Sequence, residues 1–165
     1  MNIIVLGLNH RTAPVELREL LAISDSRMGE ALARLRAYSG INEAMYLGTC
    51  NRVEVYAVVE KGEWGFRKLE DFLVATHFSL SPEDLLPHLY RYSDEEAIAH
   101  LFRVSASLDS MVVGEPQILG QVKAAYELAL THRSSGVILN KVVKIMDIAK
   151  AAGAGRLCLA TEKDL

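Results

Sequence analysis

The feature that most limits the fold is a pair of strand-like runs joined by a short polar connection. Residues 44–47 and 53–59 are rich in apolar and β-branched residues, and residues 48–52 between them read Gly-Thr-Cys-Asn-Arg. In the second run apolar residues occupy every second position, which is typical of a half-buried strand. A connection this short predicts an antiparallel hairpin with Cys50 at its tip.

The other periodicities predict a mixed fold. Apolar residues 2–8 predict a buried strand, and residues 88–92 predict a short fourth strand. Helical spacing and start signals predict helices at residues 14–21, 25–38, 64–78, 93–107, from about 114, and at 137–152. We therefore expect an α+β fold, in which a small, mainly antiparallel sheet with ferredoxin-like βαβ elements has helices packed on one face, plus a C-terminal helical part.

Length and charge exclude several classes of protein. The chain has 165 residues and a formal net charge of -3, which suits about one to one and a half domains and argues against a general nucleic-acid binder. No stretch approaches the roughly 20 apolar residues of a membrane span. The two cysteines, Cys50 and Cys158, are too few for a disulfide framework, so we expect a reducing, cytoplasmic location and no membrane association.

Cys50 is the first candidate for chemistry. A cysteine thiolate is a good nucleophile, and Thr49, Asn51 and Arg52 surround Cys50 with hydrogen-bonding groups. The alternative is that Cys50 is a small filler of the core. Cys158 lies in a weakly patterned tail and carries no functional prediction.

His100 is the second candidate, at the edge of the apolar face of a predicted helix. It could act as a general acid or base, or it could be a half-buried structural histidine with a hydrogen-bonded ring. The five histidines show no metal-ligand spacing with each other or with a cysteine, so no metal is predicted. Arg11, Arg52 and Arg103 could each bind a carboxylate bidentately, although a lone arginine more often forms a surface salt bridge.

Four motifs occur in order along the chain. They read Gly-Leu-Asn-His-Arg-Thr-Ala-Pro-Val-Glu-Leu-Arg at 7–18, Thr-Cys-Asn-Arg-Val-Glu-Val-Tyr at 49–56, His-Leu-Phe-Arg-Val at 100–104, and Leu-Asp-Ser-Met-Val-Val-Gly-Glu-Pro-Gln-Ile-Leu-Gly-Gln-Val-Lys at 108–123. Together they closely resemble glutamyl-tRNA reductase, and the resemblance covers roughly residues 2–150. In two places the chain departs from the family pattern: Gly48 stands where serine is usual, and Ser107 stands where glycine is usual.

The resemblance implies a reaction and a set of site residues. In that family a cysteine attacks the ester of glutamyl-tRNA, and NADPH reduces the resulting thioester to glutamate-1-semialdehyde for tetrapyrrole (haem, 5-aminolevulinate) biosynthesis. By motif position, Cys50 would be the nucleophile and His100 the histidine important for activity. The positions that match substrate-binding residues are Thr49, Asn51, Arg52, Ser110, Glu115, Pro116, Gln117 and Gln121.

The resemblance also sets expectations for domains and partners. Residues 1–150 would be the catalytic N-terminal domain, and residues 151–165 a non-matching, flexible tail. The family continues into an NADPH-binding domain and a dimerisation domain, so this chain is expected to form the thioester and hydrolyse it without reducing it. Implied partners are glutamyl-tRNA, glutamate-1-semialdehyde aminomutase and, in the full-length family, a second subunit. The competing hypothesis is a non-catalytic binding or regulatory module for haem or a protein partner.

Overall fold

The computed structural model describes residues 1–111 and 117–152. The strands are β1 (Asn2–Asn9), β2 (Ile41–Gly48), β3 (Arg52–Val59) and β4 (Tyr90–Ser93). The helices are α1 (Val15–Leu20), α2 (Asp25–Ala37), α3 (Gly62–Val74), α4 (Pro82–Leu85), α5 (Asp94–Ser105), α6 (Gln117–Thr131) and α7 (Val137–Ala151), with a 3-10 turn at Leu86–His88. Within the described residues, no helix is both long and apolar enough to cross a membrane.

The four strands form one sheet in the order β2-β3-β1-β4. Each neighbouring pair is antiparallel. Because β1 and β2 flank β3, the helices between β1 and β2 make a split βαβ crossover of the ferredoxin-like type. The predicted α+β fold with an antiparallel sheet is thus confirmed.

Helices cover both faces of this sheet. Ile4, Leu6 and Leu8 of β1 pack in a core with α1, α2 and α3, whereas Val5 of β1 belongs to a second core with α5, α6 and α7. The prediction that helices pack on one face was therefore wrong. All eight residues of β3 are buried, so the prediction that this strand is half-buried was wrong for the same reason.

The start of α7 is fixed to the sheet by a buried carboxylate. Glu43 of β2 accepts hydrogen bonds from the backbone N–H groups of Gly136 at 3.0 Å, Ile138 at 3.0 Å and Leu139 at 2.9 Å. These N–H groups have no partner within the helix, and a carboxylate there also interacts favourably with the helix dipole. The predicted tail at 151–165 lies outside the described residues from position 153 onward.

Candidate active site

The tip of the β2–β3 hairpin is held by a hydroxyl. Thr49 Oγ1 accepts from the backbone N–H groups of Asn51 and Arg52, both at 3.2 Å, and the backbone N–H of Thr49 donates to the Arg52 carbonyl at 2.8 Å. Cys50 is a free, exposed cysteine in this turn. The hairpin and the place of Cys50 agree with the prediction, and the thiol is accessible to a macromolecular substrate.

Two residues of the β1–α1 segment contact the tip. His10 donates its backbone N–H to the Asn51 carbonyl at 2.9 Å, and Arg18 of α1 donates from Nη1 to the Cys50 carbonyl. Burial and the neighbouring charges of Arg11 and Arg52 lower the pKa of His10 below its ordinary value of 6.5, so its imidazole is neutral at pH 7. His10 Nδ1 and Arg18 Nε are buried and have no hydrogen-bond partner within the described residues.

Behind the tip lies a buried carboxylate, Glu54 of β3, which has no solvent exposure. Its oxygens accept hydrogen bonds from Arg52 Nη1 at 3.0 Å and from Tyr56 Oη, Tyr90 Oη and His100 Nε2, each at 2.6 Å. Burial by itself raises the pKa of Glu54, but the hydrogen bonds and charges of these donors outweigh it and lower the pKa from 4.5 to about 2. Glu54 is therefore ionised at neutral pH.

A glycine makes room for this carboxylate. Gly7 of β1 pairs with Glu54 on one side and with Tyr90 on the other. A Cβ atom at Gly7 would lie 2.7 Å from Glu54 Cγ and 2.8 Å from the Val53 carbonyl oxygen. The missing side chain lets Glu54 and Tyr90 meet across β1.

His100 of α5 is 2% exposed. Its ring stacks on Tyr92 at a centroid distance of 4.6 Å and lies 5.4 Å from the ring of Tyr90. Because Glu54 is ionised and can only accept, His100 Nε2 must carry the hydrogen of their bond. These contacts link His100 to Arg52 through the Glu54 carboxylate.

Arg52 joins the buried cluster to residue 109. Its side chain is 1% exposed, and its guanidinium donates to Glu54, to the Asp109 carboxylate at 3.2 Å and to the Asp109 carbonyl. Burial alone would lower the pKa of Arg52, but the nearby Glu54 and Asp109 charges raise it. Asp109 also pairs with the exposed Arg11 at 3.4 Å.

The other predicted site residues are distributed more widely. Ser110 is buried beside Asp109, whereas Gln117 and Gln121 are both exposed on α6. Gln121 and Gly48 both line a cavity of about 130 Å³. Glu115 and Pro116 lie outside the described residues.

The structure thus brings Thr49, Cys50, Asn51 and Arg52 together and links His100 to Arg52. Sequence reasoning missed Glu54 and Arg18, although Arg52, Glu54 and Tyr56 form a polar column at every second position of β3. No group of three or more histidine, cysteine, aspartate or glutamate side chains within residues 1–111 and 117–152 could hold a metal ion.

All the comparisons with known proteins match the same protein family. The family model "Glutamyl-tRNAGlu reductase, N-terminal domain" matches residues 6–153. Glutamyl-tRNA reductase of Geotalea uraniireducens is 50% identical over 151 residues, covering 91% of this chain and 35% of that protein. The Synechococcus sp. enzyme is 50% identical over 143 residues, covering 87% and 32%.

A solved structure agrees with these matches. Glutamyl-tRNA reductase from Methanopyrus kandleri superposes with a TM-score of 0.70 at 29% identity, covering 92% of this chain and 34% of that one. The chain spans about a third of the length of the curated relatives it matches.

Proposed function

The chain belongs to the glutamyl-tRNA reductase family, and we propose that it carries out the acyl-transfer step of that enzyme with Cys50 as nucleophile. The observation that carries this proposal is the exposed Cys50 thiol on a hairpin tip fixed by hydrogen bonds. Structural cysteines are usually buried, whereas a nucleophile must be accessible.

In the proposed step the Cys50 thiolate attacks the ester carbonyl of glutamyl-tRNA. The new carbon–sulfur bond forms as the bond to the terminal ribose oxygen breaks, and that oxygen leaves with a proton. An aminoacyl ester is already a good acyl donor, so a thiolate suffices without a metal. Water then attacks the thioester, which releases glutamate and regenerates the thiol.

Recognition of the glutamyl group is proposed for the side chains beside the thiol. Thr49 and Asn51 shape the turn, and Arg52 offers a guanidinium for the γ-carboxylate. Ser110, Glu115, Pro116, Gln117 and Gln121 complete the proposed substrate-binding set. We assign His100 to positioning, because its contact with Glu54 fixes the carboxylate that orients Arg52.

Reduction of the thioester is not assigned to the residues described. Their single sheet is antiparallel, whereas dinucleotides bind at the ends of parallel strands in doubly wound folds. In the whole enzyme NADPH would supply the hydride that gives glutamate-1-semialdehyde for tetrapyrrole biosynthesis. Dimerisation and contact with an aminomutase are likewise proposed for the whole enzyme, in a reducing cytoplasm that keeps Cys50 free.

The test offers tRNA charged with labelled glutamate to the purified chain. We expect label on the protein and slow release of free glutamate, and we expect Cys50→Ser to abolish both. Cys158→Ser is the matched control and should retain both activities.

Three results would contradict parts of this proposal. Unchanged activity of Cys50→Ser would remove Cys50 from the reaction. Semialdehyde formed by this chain with NADPH would show that it completes the reduction itself. A wild-type chain that never carries label would favour the non-catalytic module that binds haem or a protein.

A further inference from the structure

Three arginines lie near the hairpin tip, and within the described residues two of them have a carboxylate partner. Arg52 pairs with Glu54 and Asp109, and Arg11 pairs with Asp109. Within residues 1–111 and 117–152, Arg18 has no carboxylate oxygen within 4.0 Å. In the part of the chain that the structure describes, one cation beside Cys50 is therefore left without a carboxylate partner.

The position of Arg18 is set by the residue that carries the nucleophile. Its Nη1 donates to the carbonyl of Cys50 itself, so the guanidinium contacts the residue that carries the thiol. Its Nε is buried and has no acceptor among the residues that the structure describes. A buried N–H without a partner is destabilising, and an anion that enters beside Cys50 would supply an acceptor.

The neighbouring groups differ from Arg18 in what an anion must displace or overcome. Arg52, proposed above to bind the γ-carboxylate, is 1% exposed and could do so only by giving up its bond to Asp109. His10 is neutral at pH 7 because burial and the nearby arginines lower its pKa, so it does not neutralise an anion. Arg11 has 62% of its side chain exposed, and water screens its charge.

We propose that Arg18 binds an anionic group of the acylating substrate next to Cys50. This inference rests on the proposed function. The anion is a carboxylate or phosphate oxygen, and it has two sources: the γ-carboxylate of the glutamyl group or the phosphodiester nearest the 3′ end of the tRNA. Both match the planar fork of a guanidinium.

The first test needs no tRNA. Cys50 is alkylated with iodoacetate and with iodoacetamide, which differ in charge but little in size. Unit charges about 6 Å apart in water interact strongly enough to change a rate roughly threefold. We expect Arg18→Gln to lower the iodoacetate-to-iodoacetamide rate ratio at Cys50 by about threefold or more, whereas Arg18→Lys should retain most of it.

Controls separate charge from folding. Arg67→Gln removes a charge from an exposed site on α3 and should leave the ratio unchanged, and Cys158 is the internal reference. An unchanged ratio in folded Arg18→Gln would overturn the proposal. If that variant does not fold, the salt dependence of the wild-type chain still tests the proposal. Its iodoacetate-to-iodoacetamide rate ratio at Cys50 should fall as salt rises from about 0.02 to about 0.5 M, and a salt-independent ratio would overturn the proposal.

The second test identifies the anion by comparing wild type and Arg18→Gln on three acyl donors. If Arg18 binds the carboxylate, the variant loses the preference for glutamyl-tRNA over glutaminyl-tRNA. If Arg18 binds the phosphate, Arg18→Gln is acylated more slowly than the wild type by glutamyl-tRNA but not by glutamyl-adenosine, which has no phosphate. An acylation rate that falls equally with all three donors, or with none, would overturn anion binding. Failure of the wild type to acylate would instead contradict the proposed function, and the alkylation ratio would still test Arg18.

Discussion

Replacing Glu54 with glutamine should lower stability in a way that depends on pH. The donors around Glu54 lower its pKa from 4.5 to about 2, and each pKa unit corresponds to about 1.4 kcal/mol. The ionised carboxylate therefore contributes on the order of 3 kcal/mol to the free energy of unfolding above pH 4.5. A similar loss, roughly 3–5 kcal/mol, is expected when a buried ion pair such as Arg52–Glu54 loses one partner.

The sign of the pH dependence follows from the lowered pKa. The stabilisation is complete above the unfolded pKa of 4.5 and is lost as the pH falls toward the folded pKa of about 2. Between pH 7 and pH 3 the wild type should lose about 2 kcal/mol through this one group. Glutamine at position 54 cannot titrate. The unfolding free energy of Glu54→Gln should therefore lie below that of the wild type at pH 7, and the difference between the two should shrink by about 2 kcal/mol at pH 3.

Urea unfolding at pH 7, 5, 4 and 3, followed by circular dichroism, measures this difference. Glu60→Gln is the matched control, because Glu60 follows the same strand but is exposed, and it should behave like the wild type. A difference in unfolding free energy between wild type and Glu54→Gln that stays constant with pH would refute the reasoning. It would show that the four donors do not stabilise the charged form of the carboxylate.

Two further predictions concern backbone positions near this cluster. Gly7→Ala should destabilise the chain by about 1–3 kcal/mol, because its Cβ would lie 2.7 Å from Glu54 Cγ and 2.8 Å from a backbone oxygen. Gly120→Ala is the control: its Cβ meets nothing within 4 Å, so this variant should be as stable as the wild type or more stable. Equal melting temperatures of the Gly7→Ala and Gly120→Ala variants would contradict the crowding argument. Ser107 has φ +59°, a left-handed conformation in which a Cβ is unfavourable, so Ser107→Gly should be more stable than Ser107→Ala by about 1 kcal/mol. Both of these variants lack the hydroxyl, so thermal unfolding compares the backbone effect alone, and a more stable alanine variant would be inconsistent with strain at this position.

Local patterns were enough to predict the hairpin. The apolar alternation of β3 and the polar sequence Gly-Thr-Cys-Asn-Arg determine where the chain must reverse, and both are properties of adjacent residues. The sequence also shows that residue 107 is serine, whereas glycine is usual at this position in the family. The positive φ of Ser107 now gives that family preference a physical reason.

The buried cluster could not be predicted in the same way. A glutamate at an alternating strand position is ordinarily interpreted as facing solvent, and that interpretation holds only when the second face of the sheet is open. Here α5, α6 and α7 cover that face, and the donors to Glu54 come from three separate elements, β3, β4 and α5. Such a contact set depends on tertiary packing, which periodicity along the chain does not encode.

The arrangement of Arg52 bears directly on how a substrate can be recognised. A γ-carboxylate that binds the Arg52 guanidinium must replace the Asp109 carboxylate, because Arg52 is 1% exposed and already donates hydrogen bonds to Asp109. Glu54 would remain in place, since its other three donors do not depend on Asp109. Exchange of one carboxylate for another conserves the charge around Arg52, so substrate binding there need not leave a buried cation unpaired. Among the described residues Arg18 has no carboxylate partner to displace, so an anion could bind it without such an exchange.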